Sequence, residues 1–118
     1  MRIDTAKQVY DEQGKGSVKI GPNGSGVGIK AILSGSKTHD WASTVDAANA
    51  NTTVTVPGAM LGDIVLGCSM SFDIGFPGVI LHGYVSATDT VTVTLQNESA
   101  GTRDLASGTL TVVVLDIT

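Results

Sequence analysis

The sequence predicts an all-β fold, and three observations support this prediction. Apolar residues recur at every second position over most of the chain after residue 27, as expected for half-buried strands. Val and Thr, which favour strands, dominate these stretches, and Gly or Pro interrupts them at short intervals. No stretch shows an apolar repeat of helical period. We therefore expect a single antiparallel β-sandwich of about seven strands, either jelly-roll or immunoglobulin-like.

The first 28 residues differ in composition from the rest of the chain. They combine charged residues with six glycines and show no sustained apolar period. Glycine raises the entropic cost of ordering the backbone, so such a segment orders mainly when it lies against another surface. We interpret residues 1–28 as an extended N-terminal arm and residues 29–118 as the β-sandwich domain. A frayed terminus is the alternative.

The predicted strands are runs in which apolar residues occupy alternate positions. Turn sequences separate them, among them Ser-Gly-Ser at 34–36 and Pro-Gly at 57–58. The seven predicted strands are residues 27–33, 37–41, 53–56, 64–70, 79–85, 90–96 and 109–117. The small polar stretch 43–51 and the segment 73–78 predict exposed loops.

Alternation also assigns side chains to faces. In residues 64–70 it places Ile64, Leu66, Cys68 and Met70 on one face, and in residues 90–96 it places the threonines outward. The stretches 79–85 and 110–115 are apolar on both faces, as expected where a neighbouring subunit or the arm covers the outer face. The predicted interface residues are Val18, Ile20, Val27, Ile29, Trp41, Ile80, Tyr84, Val113 and Leu115.

Composition and charge argue against several classes of protein. The net charge is −4 and the seven basic residues are scattered, so we expect no nucleic-acid partner. No apolar run reaches the length of a membrane span, and the first 26 residues lack the apolar core of a signal peptide. We therefore expect synthesis in the cytoplasm and no membrane partner. Only 15% of the residues are charged, which favours burial of surface against identical copies or a larger partner.

Few residues are candidates for catalysis or metal binding. His39 and Asp40 are adjacent, so on a strand they would point to opposite faces, and His82 supplies no third spaced ligand. The single Cys68 allows no internal disulfide and has the pattern of a small buried apolar residue. The Gly-rich residues 21–28 lack the Lys and Ser or Thr of a phosphate-binding loop. We expect no enzyme activity, no cofactor and no metal.

Three segments resemble a pattern found in small virion structural proteins of tailed bacteriophages. They are T-V-T-V-P-G-A-M-L-G-D-I-V-L-G at 53–67, G-Y-V-S-A-T-D-T-V-T-V-T-L-Q-N-E-S-A-G at 83–101 and L-A-S-G-T-L-T-V-V-V-L at 105–115. In those proteins the pattern occurs in head-associated proteins of about this size and in terminal modules of tail or fibre proteins. The resemblance covers about residues 41–115, leaves the arm outside, and carries no catalytic residues.

The resemblance implies a capsid decoration, or cement, protein on the virion surface. Such a protein is a small β-sandwich that binds the major capsid protein across neighbouring capsomers, as a homotrimer more readily than as a dimer. The arm would then dock on the major capsid protein or on an adjacent copy. Two alternatives stay open. A tail-fibre or receptor-binding module would contact a host glycan or protein through its loops, using Trp41 or Phe76. An enzyme subunit or small-molecule binder would need convergent polar groups.

Overall fold

The computed structural model describes residues 18–20 and 27–117, with side chains from Gly28 onward, and within these ranges every regular element is a β-strand. The strands are β1 (Val18–Ile20), β2 (Val27–His39), β3 (Asn49–Thr55), β4 (Ile64–Met70), β5 (Val79–Ala87), β6 (Thr90–Asn97) and β7 (Gly108–Ile117). They form two antiparallel sheets, in the orders β1-β2-β7-β4 and β3-β6-β5. The all-β prediction is confirmed. The described ranges contain no helix long and apolar enough to cross a membrane.

The seven predicted strands correspond to the six strands β2 to β7, because the first two predicted strands form one continuous strand in the structure. Residues 27–33 and 37–41 were expected to be separated by a turn at Ser-Gly-Ser, but β2 runs continuously from Val27 to His39. The turn prediction is wrong because Gly35 serves a different purpose. A Cβ atom there would overlap the carbonyl oxygen of Thr55 and the side chain of Val56. Glycine at this position therefore allows the two sheets to approach closely.

Part of the predicted arm is paired. In β1, Val18 lies opposite Ile29 and Ile20 lies opposite Val27, so this short strand forms the edge of the four-stranded sheet. Residues 1–17 and 21–26, which make up most of the predicted arm, lie outside the described residues. At the other predicted loop boundary, β3 begins at Asn49, inside the stretch 43–51 that was expected to be loop.

The two sheets share one apolar core. Strands β6 and β7 lie in the interiors of their sheets, and every second side chain of each is buried. The fully buried apolar side chains of these two strands are Val91, Val93, Leu95, Leu110, Val112 and Val114. Val54 of β3 and Met70 of β4 join the same cluster. Burial of each such aliphatic side chain contributes about 1.5–3 kcal/mol, so this cluster is the main source of stability.

The chain passes repeatedly between the sheets. Between β2 and β7, the β5–β6 connection stays within one sheet as a hairpin, whereas each of the other four connections crosses from one sheet to the other. Residues 40–48, 71–78 and 98–107 therefore meet at one end of the molecule, where Thr44 and Arg103 form an isolated antiparallel bridge. Residues 56–63 and 88–89 meet at the opposite end. The candidate surface described below lies at this second end.

The close approach at Gly35 is testable by comparison with a second strand glycine. We expect Gly35→Ala to lower the free energy of unfolding by about 1–3 kcal/mol, because the new methyl group overlaps main-chain atoms of the facing sheet. The matched control is Gly67→Ala, since a Cβ at Gly67 meets no atom within 4 Å. We expect the control to be neutral or to stabilise by up to ~1 kcal/mol. Urea unfolding of both variants measures the difference, and equal effects would contradict this role of Gly35.

Candidate interaction surface

A β-bulge in β4 changes which of its side chains face solvent. Val65 lies opposite Val114 of β7, but the next paired residue is Gly67, opposite Val113, so Leu66 is the extra residue of the bulge. Cys68 and Met70 face the core, as predicted, whereas Ile64 and Leu66 are exposed. The prediction that all four share one face is therefore wrong, because strict alternation does not hold across a bulge.

The bulge completes an apolar row across three strands on the outer face of the four-stranded sheet. Leu115 of β7 lies opposite Ile32 of β2 on one side and opposite Ile64 of β4 on the other. Ile32 exposes 66% of its surface, Ile64 49% and Leu66 56%. Leu115 is half-buried between them. Large aliphatic side chains side by side on the solvent face of a sheet are typical of an interaction surface.

The connection between β3 and β4 adds two further apolar side chains at this end. Met60 exposes 57% of its surface and Leu61 exposes 71%. The connection is anchored by Asp89 of the β5–β6 turn, whose carboxylate accepts a hydrogen bond from the Gly58 N–H at 2.8 Å. Asp63 accepts a second one from the Met60 N–H at 3.0 Å. These hydrogen bonds hold a loop that presents Met60 and Leu61 to solvent.

We call this region the apolar end surface. It consists of Ile32, Met60, Leu61, Ile64, Leu66, Val113 and Leu115. None of these residues is charged, and five of the seven are exposed. An open depression of about 340 Å³ lies beside it, lined by residues 66–69 together with Thr111 and Val113. Gly67 helps to form the depression because it has no side chain.

The outer face of the three-stranded sheet is different in character. The outward positions of β3 and β6 are polar. Thr94 donates a hydrogen bond to the Asn51 side chain at 2.6 Å, and Thr92 donates one to Ser86 of β5 at 2.8 Å. Apolar exposure on this face is confined to the edge strand β5, at Ile80 and Tyr84. A face whose hydroxyl and amide groups bond to one another needs no partner to cover it.

The predicted interface residues are thus distributed over separate parts of the molecule. Val113 and Leu115 belong to the apolar end surface, and the half-buried Ile29 lies next to Val18 and Ile117 in the same sheet. Ile80 and Tyr84 lie on the other sheet. Val18, Ile20 and Val27 are paired through their backbones, and their side chains lie outside the described residues. That these residues contact a partner or another copy of the chain stays a prediction.

Trp41 is a correction to the predicted interface. Its side chain is 1% exposed, in the core between the sheets, and its indole N–H points to the sulfur of Met70 at 3.4 Å. The ring of His39 packs edge-on against it with 4.5 Å between centroids. A tryptophan in this position anchors the core and offers no face to a glycan or a protein partner.

The opposite end of the molecule is organised by a buried asparagine. The Asn97 side-chain amide donates to the carbonyl oxygens of Thr44 and Gly101, both at 2.8 Å, and its oxygen accepts from the hydroxyl and the backbone N–H of Ser99. Arg103 donates to Ser99 and places its guanidinium 3.9 Å from the ring centre of Phe76. Phe76 is the one predicted loop contact that is exposed.

The titratable candidates do not converge. His39 contacts Trp41, whereas His82 is exposed on the outer face of the other sheet. Burial and the nearby charge of Lys37 lower the pKa of His39, and burial raises the pKa of the Cys68 thiol. Among the residues that the structure describes, no group of three His, Cys, Asp or Glu side chains could hold a metal ion.

Comparisons with known proteins add no relative to this description. No protein-family model matches the chain, and neither a curated protein nor a solved structure is similar to it at a significant level.

Sequence reasoning missed the most exposed members of the apolar end surface. Ile64 and Leu66 were assigned to one face together with Cys68 and Met70, and Ile32, Met60 and Leu61 were not singled out. One signal was present: Gly67 interrupts an apolar strand, and an isolated strand glycine often marks a bulge. With the bulge placed next to Gly67, Ile64 and Leu66 would have been predicted to face outward.

The role of Asn97 can be tested by removing its side chain. We expect Asn97→Ala to lower the free energy of unfolding by about 2–4 kcal/mol, since it leaves two carbonyl groups and Ser99 without their partner in a buried site. Gln96→Ala is the control, because Gln96 bonds only to the exposed Glu98. Chemical denaturation measures both changes. Comparable small effects of the two variants would contradict the organising role of Asn97.

Proposed function

We propose that this chain is a bacteriophage capsid decoration, or cement, protein that binds the outer capsid surface as an oligomer and stabilises the head. The proposal combines the resemblance of residues 41–115 to phage virion proteins with the structure of its surface. It assigns the protein to the virion, after synthesis in the host cytoplasm, with the major capsid protein and its own copies as partners.

The observation that carries the proposal is the apolar end surface. A small protein that exposes Ile32, Leu61 and Leu66 by more than half gains free energy when another surface covers them. A cement protein uses such a surface many times over, because a weak contact becomes firm when an oligomer engages several capsomers at once. The surface is uncharged, which suits a fixed contact that buries it.

The strand order supports an immunoglobulin-like form of β-sandwich. The two sheets of an immunoglobulin fold contain the strand orders B-E-D and C-F-G. If β3 to β7 are taken as strands B to F in chain order, the sheet β3-β6-β5 has the order B-E-D, and β4 pairs with β7 as C pairs with F. Strand β2 lies beside β7, in the place that strand G takes in that fold. The protein would thus be a sandwich that presents an apolar surface at one end of one sheet and a mainly polar outer face on the other.

We further propose a homotrimer in preference to a dimer. Two apolar regions on different sheets, the apolar end surface and the β5 edge with Ile80 and Tyr84, suit two different contacts. In this arrangement Ile80 and Tyr84 pack between copies, and the apolar end surface meets the capsid. In a cyclic trimer each copy would pack this edge against a different surface of the next copy, so that all three apolar end surfaces can meet the shell together.

The decisive experiment is co-sedimentation of the purified protein with undecorated phage shells, with its oligomeric state measured by light scattering. We expect saturable binding of a compact oligomer. The variant Leu66→Lys places a charge in the apolar end surface and is expected to reduce affinity at least ~100-fold, since burying an unpaired charge costs several kcal/mol. Because Leu66 is exposed, the fold should tolerate the change.

The matched control is Thr53→Lys, an equally simple charge insertion on the exposed polar face of the other sheet. This variant should bind shells like the unmodified protein. Equal loss in both variants, or no loss in either, would contradict the assigned surface. Binding to host cells without binding to shells would favour a tail-fibre or receptor-binding module, whose contact would then be the loop around the exposed Phe76.

A further inference from the structure

The strand β2 has a long edge that no described strand covers. Its neighbours in the sheet are β7, which pairs with it from Ile29 to His39, and β1, which pairs only with residues 27–29. Within the described ranges, the side of Lys30–His39 that faces away from β7 therefore has no strand beside it. About half of the N–H and C=O groups of this stretch point to that side.

Natural proteins usually protect such an edge, and among the described residues the protective features are limited to the bulge at Lys30 and the inward-pointing Lys37. The stretch from Lys30 to His39 is long, contains no proline, and is interrupted only by the bulge at Lys30. The inward-pointing Lys37 does not block the edge, because its ammonium group donates to the Thr52 hydroxyl of the other sheet. The backbone of this edge is thus available to a further strand.

The direction of β1 identifies a segment that can fill the edge. β1 is antiparallel to β2, with Val18 opposite Ile29, so a straight continuation of β1 before Val18 would run along β2 toward His39. If the pairing is counted residue for residue from Val18 and Ile29, positions 8–17 would lie opposite positions 30–39. The sequence has 17 residues before β1, which is enough to cover the whole edge. No turn is needed.

We propose that residues 8–17 of the same chain extend β1 and pair with the edge of β2 from Lys30 to His39. The tether at β1 gives this segment a high effective concentration, so it competes well with a strand from another molecule. In this register Glu12 would take the position opposite 35, on the same side of the sheet as Lys37, whereas Asp11, opposite 36, would take the outer side. The edge is a binding site for the protein's own N-terminal segment.

Hydrogen exchange on the isolated full-length protein tests this pairing without any shell. We expect the alternate amides of residues 31–39 that point away from β7 to exchange at least ~10-fold more slowly in the full chain than in a variant lacking residues 1–17. Amides of β6, which is paired on both sides, serve as an internal reference and should exchange equally in both proteins. Equal exchange of the β2 amides would overturn the proposal.

A pair of point variants checks the register without deletion. The first variant combines Val9→Pro with Tyr10→Pro. Because the backbone N–H groups of adjacent strand residues point to opposite sides, one of these two prolines removes an N–H that would donate to β2, and we expect most of the protection to be lost. Arg2→Pro combined with Ile3→Pro lies outside positions 8–17 and should leave protection intact. Protection that disappears on dilution would show that a second copy supplies the strand, and would overturn pairing within one chain. Each of these outcomes is independent of shell binding.

Discussion

The packing of β6 against β7 is the interaction on which the rest of the structure depends. Each is flanked by a strand on both sides, and each buries every second side chain in the shared core. Because the two strands are interior, their registers determine the registers of β2, β3, β4 and β5. The apolar packing of valine and leucine between the two sheets forms the core of the described residues.

The same packing creates two outer faces of opposite character. On β6 the outward positions are threonine and glutamine, which bond to neighbouring polar side chains. On β7 the outward positions change from Thr109 and Thr111 to Val113 and Leu115 along the strand. Leu115 meets Ile32 and Ile64 at that end. The apolar end surface is therefore a local property of one end of one sheet, and it is separate from the exposed Ile80 and Tyr84 on the edge strand of the other sheet.

Two backbone irregularities give these surfaces their form. The bulge at Leu66 turns two large side chains of β4 outward while Cys68 and Met70 remain in the core. Gly35 lets the long strand β2 cross close to the end of β3, so that β2 continues to His39, and no described strand pairs with its far edge over Lys30–His39. An open strand edge and an exposed apolar row on one sheet make this sheet the side of the molecule that other chain segments would cover.

The sequence by itself determined the fold class, most strand positions and the inward side chains of β6 and β7. These features depend on a two-residue period that is local and uninterrupted, as in Thr90–Asn97. Tertiary structure decided where that period breaks. Whether Gly35 is a turn or a close contact depends on Thr55, which is distant in sequence, and whether Leu66 is buried depends on how β4 pairs with β7. Trp41 likewise became a core residue only because Met70 and the facing sheet enclose it. Such outcomes arise from long-range packing, which alternation within one strand cannot express.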